Sequence, residues 1–111
     1  MINIRIERDV TGHITGFCIK GHAGYSKYGH DVVCAGVSAI SQTAYIGLKH
    51  FLVRTFEATI KEGYLEIMLP ELPPEEFEAA EVILTTMLMG LESLREGYPK
   101  FIVIEDAIQE V

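Results

Sequence analysis

Apolar residues in this chain switch repeatedly between two spacings, and those switches restrict the fold more than any other feature. Ile2, Ile4 and Ile6 alternate with Asn3, Arg5 and Glu7, the period of two expected of a half-buried strand. Asp9 to Gly12 supplies turn chemistry, and a second strand over residues 13–20 completes a hairpin. From Val33 the spacing lengthens to three and four. Val37, Ile40, Ala44, Leu48 and Phe51, with Val33, Ser41, Tyr45 and Leu52 alongside, describe an amphipathic helix ending near Leu52. Strands over residues 56–61 and 64–69 flank Glu62-Gly63, a two-residue connection whose glycine suits a hairpin turn. Leu72-Pro73-Pro74-Glu75 opens a second helix, because proline is tolerated in a first turn and glutamates complement the exposed amides there. Its core stripe is Phe77, Ala80, Ile83 or Leu84, Met87, Leu91 and Leu94, with Met89 read like Met87 as core filler and Gly97 as the stop. A last strand covers residues 101–104. The expected fold class is α+β in the order ββαββαβ, a largely antiparallel sheet with two helices packed on one face.

A chain of 111 residues is long enough for one core without staples, so a single domain over residues 1–111 is expected. The first ten residues alternate apolar and charged groups instead of placing an apolar run behind a basic start, and no apolar stretch is long enough for a bilayer. These features predict a cytoplasmic protein with no membrane partner. Two cysteines without an export signal read as free thiols, with a Cys18–Cys34 disulfide as the alternative. Sixteen acidic against nine basic residues give a formal charge of −7, which argues against direct nucleic-acid binding, since phosphate contacts need clustered Lys and Arg. A basic partner suits it better. Much of the acidity lies at Glu71, Glu75, Glu76, Glu78 and Glu81, which reads first as a solvated helix face.

Chemistry concentrates between Gly21 and Gly36. Cys34 falls at the start of the first helix, where exposed amides and the positive dipole end favour a thiolate, and Ala35 and Gly36 leave room for a substrate carbonyl. The same helix-start amides are candidates for binding an oxyanion. His22, at the end of the second strand, is the preferred base, because the loop after it can fold back to the thiol. His30, four residues before Cys34, is the competitor. Asp31 either caps the helix or orients a histidine in the manner of a triad's third member. Ser38 either hydrogen-bonds into the site or bonds back to the helix backbone. Gly24, Tyr25, Ser26, Lys27, Tyr28 and Gly29 form a candidate substrate loop, with the two glycines as hinges. His22, His30, Asp31 and Cys34 match no tight zinc spacing, and no metal or other cofactor is expected. Cys18, between Phe17 and Ile19, reads as a packed strand residue, and His13 and His50 read as surface residues.

Gly21-His22-Ala23, Asp31-Val32-Val33-Cys34-Ala35 and Val37-Ser38 together resemble the bacterial ribosomal-processing cysteine protease Prp family, and the ββαββαβ order extends the likeness over the whole chain. The resemblance implies a cysteine endopeptidase with a Cys/His dyad, Cys34 as nucleophile and His22 as general base, with Gly21, Asp31, Ala35 and Ser38 in support. It implies a homodimer, a mobile loop between the two dyad residues, and a substrate. That substrate is the N-terminal extension of the large-subunit ribosomal protein numbered twenty-seven, removed in support of ribosome assembly. The alternative is a non-catalytic ribosome-associated binding protein in which His22 and Cys34 only stabilise the loop.

Overall fold

The computed structural model describes residues 1–27 and 30–108, and its elements follow the expected order: β1 (Ile2–Arg8), β2 (Ile14–Gly21), α1 (Val32–Phe51), β3 (Glu57–Lys61), β4 (Tyr64–Met68), α2 (Pro74–Gly97) and β5 (Ile102–Ile108). The strands form one sheet in the order β3-β4-β2-β1-β5. Three of the four pairings are antiparallel, and β5 runs parallel to β1. Strand directions then decide where the helices go. The β2-α1-β3 and β4-α2-β5 connections join parallel strands, but they start from antiparallel strands and travel in opposite directions across the sheet. Two right-handed crossovers of that kind lie on the same face.

That face carries the core. Ile2, Ile4 and Ile6 of β1 lie opposite Gly21, Ile19 and Phe17 of β2, and beneath the helices they pack with Val33, Val37, Ala44 and Leu48 of α1 and Ala80, Leu84, Met87, Leu88 and Leu91 of α2. Each such aliphatic side chain contributes about 1.5–3 kcal/mol when fully buried. The helices approach closely through glycines: a Cβ at Gly36 would lie 3.0 Å from Leu94 Cδ2, and one at Gly90 would lie 3.4 Å from Ile40 Cγ2. On the other face Asn3, Arg5 and Lys20 are exposed.

Several details depart from the expected pattern. Phe51 and Met89 are 59% and 63% exposed, because each lies on the solvent side of its helix, away from the stripe that faces the sheet. Gly97 is the last residue of α2 and has no left-handed φ; Tyr98 is the C-cap, and its N–H donates to the carbonyls of Leu94 and Arg95. Cys18 is buried, but it pairs with Arg5 and Glu66 on the face away from the helices. There a hydrogen bond to Cys18 pushes the Tyr64 hydroxyl up to about 12. His13 is half-buried, its ring edge-on to Phe77. Two of the clustered glutamates brace backbone: Glu76 Oε1 accepts from the amides of Val53 and Arg54, and Glu81 Oε1 accepts from Ile14. Among the described residues no helix is long and apolar enough to cross a membrane.

Candidate active site

Asp31 sets the start of α1. Its backbone is extended, and its Oδ1 accepts from the amides of Val33 at 3.0 Å and Cys34 at 3.1 Å, the bonds of an N-cap. Its Oδ2 accepts from Tyr25 at 2.9 Å and Ser26 at 3.2 Å. Burial pushes this carboxyl up, but four backbone N–H donors outweigh it and hold the group below the ordinary carboxylate value. Of the two roles open to Asp31, the cap is the one built, extended by a clamp on the loop. Each carboxylate oxygen already accepts two hydrogen bonds, so this donor set does not suit a metal ion.

Cys34 lies in the first turn, half-buried and with a free thiol. The Ala23 amide donates to its Sγ at 3.3 Å, so a backbone dipole already points at the sulfur. The helix-start amides expected to receive an oxyanion are otherwise engaged: Val33 and Cys34 donate to the Asp31 side chain, and Ala35 donates to the Asp31 carbonyl at 3.0 Å. Oxyanion donors therefore have to be groups other than these three amides.

His22 follows the last residue of β2. Gly21 has φ +99, and a Cβ there would lie 2.6 Å from the Met1 carbonyl oxygen, so only glycine allows the chain to turn at this point. The Gly21 amide donates to the Gly63 carbonyl at 2.9 Å. This bond brings the imidazole over the β3–β4 turn, where a Cβ on Gly63 would lie 3.0 Å from His22 Nε2. His22 and Cys34 line one cavity of about 620 Å³, and Gly21, Gly24, Ser26, Asp31, Ala35 and Ser38 line it as well.

His30 is exposed and lies outside that lining. Tyr25 also lies outside it: its ring sits edge-on to Tyr98 and Phe101, with centroids 5.4 and 5.2 Å away. The first part of the expected lid is therefore pinned at Tyr25 and Ser26. Lys27 accepts the His30 amide through its carbonyl; Tyr28 and Gly29 lie outside the described residues. Ser38 does not bond back to its helix backbone: its Oγ accepts from Gln42 Nε2, another lining residue, at 2.8 Å. The sequence predicts the β3–β4 hairpin but does not place it or Gln42 at the site, where residues Ile60 to Leu65 form one wall of the cavity. Gln42 carries a signal, since it lies eight residues, two steps of four, beyond Cys34.

The family model for cysteine protease Prp matches residues 1–103. The chain belongs to the cysteine protease Prp family. It is 32% identical to the ribosomal processing cysteine protease Prp of Staphylococcus aureus (strain Mu50), over 88% of this chain and 92% of that one. It is 31% identical to the protein of the same name from Bacillus subtilis (strain 168), over 88% and 90%. Among solved structures it matches an essential ribosomal processing protease Prp from S. aureus in complex with a covalently linked product peptide. That match has a TM-score of 0.86 at 28% identity, covering 96% of this chain and all of that one. The α+β fold is thus shared with a solved Prp structure.

Proposed function

We propose that this chain, acting over residues 1–111 as a single protease domain, is a cysteine endopeptidase in which Cys34 is the nucleophile and His22 the general base. The observation that carries the reading is the Ala23 N–H directed at Cys34 Sγ at 3.3 Å, with His22, the preceding residue, lining the same cavity. In the first step the His22 imidazole takes the Cys34 thiol proton, and the sulfur attacks the scissile carbonyl carbon. The carbonyl π pair moves onto oxygen. As that pair returns, the C–N bond breaks, the amine leaves with the proton from His22, and a thioester remains. Water, giving its proton to His22, then attacks the thioester and releases the acid and the thiol.

The covalently linked product peptide in the solved S. aureus relative supports a peptide substrate and an attached intermediate. The names of the relatives support ribosomal processing. Within that class the substrate is the N-terminal extension of the large-subunit ribosomal protein numbered twenty-seven, and a formal charge of −7 suits a basic ribosomal partner. The enzyme works in the cytoplasm as a homodimer.

A peptide spanning the extension tests the proposal. Wild-type protein cleaves it, and Cys34→Ala and His22→Ala lose about 100-fold or more in kcat. Equal cleavage by all three proteins refutes the dyad, as does turnover by none of them alongside intact binding.

A further inference from the structure

The proposed reaction develops negative charge on the scissile carbonyl oxygen, and such sites are generally built with aimed hydrogen-bond donors. At the start of α1 the amides of residues 33, 34 and 35 are already bonded to Asp31. The Ala23 N–H is the backbone donor that points at the sulfur. A second donor is available on the same helix face. Cys34, Ser38 and Gln42 lie four residues apart, the spacing at which helical side chains stack on one side, and all three line the cavity.

Ser38 also differs from three other hydroxyl residues in these helices. Ser41, Thr43 and Thr86 each donate back to the carbonyl four residues earlier, at 2.8, 2.6 and 2.7 Å, the usual habit of a hydroxyl inside a helix. Ser38 instead accepts a hydrogen bond, from Gln42 Nε2 at 2.8 Å. A serine hydroxyl has one proton and two lone pairs. Occupying a lone pair from the Gln42 side leaves the proton to be donated elsewhere, and the adjoining space is the cavity beside Cys34. We infer that Gln42 is a positioning residue, which turns the Ser38 hydroxyl so that it donates to the carbonyl oxygen under attack. As the C–S bond forms and the π pair moves to oxygen, this hydrogen bond strengthens, and its proton stays on Ser38. The inference rests on Cys34 being the nucleophile.

Glutamate at position 42 reverses the polarity: a carboxylate accepts the Ser38 proton and turns it away from the site. Steady-state cleavage of the extension peptide by Ser38→Ala, Gln42→Ala, Gln42→Glu and the Ser38→Ala/Gln42→Glu pair reads this out. Losing an oxyanion donor reduces kcat by about 100-fold, so Ser38→Ala and Gln42→Glu fall by about that factor and Gln42→Ala by about tenfold, with KM within about twofold. The double variant is no slower than Ser38→Ala alone. Alkylation of Cys34 by iodoacetamide forms no oxyanion, and its rate stays within about twofold in every variant. A wild-type kcat in Gln42→Glu, an equal further loss in the Ser38→Ala background, or a loss confined to KM overturns the inference. If Cys34→Ala cleaves as fast as wild type, the nucleophile reading falls and takes this inference with it. An inert Cys34→Ala beside an unimpaired Gln42→Glu overturns this inference alone.

Discussion

Replacing Gly63 with alanine separates the placement of the His22 ring from the stability of the hairpin that carries it. Gly63 has φ +68, in the left-handed region, where a side chain costs about 1–2 kcal/mol. Gly12, in the β1–β2 turn, has φ +90 and no atom within 4 Å of where a Cβ would lie, so Gly12→Ala meets open space. Both substitutions therefore bring similar backbone strain, and both lower Tm by roughly 4–8 °C per kcal/mol in a domain of about this size. Only Gly63→Ala touches His22, the proposed base. Its Cβ meets His22 Nε2 at 3.0 Å, and restoring an ordinary contact of 3.4 Å moves the ring by the difference, 0.4 Å. Misplacing a reacting group by about 1 Å costs about 100-fold, so 0.4 Å corresponds to about 0.8 of a decade, or roughly sixfold in kcat/KM. The assay is kcat/KM on the extension peptide well below the lower Tm, with thermal unfolding followed by circular dichroism. A roughly sixfold loss in Gly63→Ala beside near-normal turnover in Gly12→Ala is expected. Equal kcat/KM in the two variants refutes the argument that the turn positions the imidazole.

Two further outcomes follow from the same geometry. Asp31 is held below its unfolded value of about 3.9, so its contribution to stability is complete above that value and is lost as pH falls through the folded one; between about pH 5 and pH 3 the urea midpoint of wild type drops more steeply than that of Asp31→Asn, and parallel slopes refute the assignment. Gly47 lies inside α1 where a Cβ would meet Ile83 Cδ1 at an ordinary 3.5 Å, so Gly47→Ala stabilises by about 0.5–1 kcal/mol through helix propensity, and a lowered Tm refutes that.

Local patterns carried most of the element order, because each strand and helix that faces the core repeats an apolar residue at its own period. The isoleucines of β1 and the Val33, Val37, Ala44, Leu48 stripe of α1 could be read in this way. The parallel pairing of β5 with β1 could not. After Ile104 that strand continues through Glu105 and Asp106, which are exposed, and its partners are remote in sequence: buried Ile2 lies opposite Ile102, and Arg8 bonds both carboxylate oxygens of Asp106, at 2.6 and 2.9 Å. β3 is exposed throughout and was legible only through its hairpin with β4. At the site, Cys34, His22 and Asp31 stand out by residue type and spacing. The β3–β4 wall does not, because a turn glycine announces a hairpin without saying which side chain lies over it.

The two bonding modes of Asp31 change how the site is divided among its residues. Its Oδ1 fixes the helix turn that carries Cys34, and its Oδ2 fixes Tyr25 and Ser26. Tyr25 in turn rests on Tyr98 and Phe101, the segment that leaves α2 and enters β5. One carboxylate thus joins the turn that carries Cys34, the loop after His22 and the far crossover of the sheet. That role needs all of its acceptor capacity, so Asp31 acts on the reaction through the position of Cys34. The same commitment occupies the amides of Val33 and Cys34. On the inference drawn above, charge stabilisation falls to the Ser38 hydroxyl outside the cap, and a substitution at Gln42 reaches the chemistry without touching Cys34.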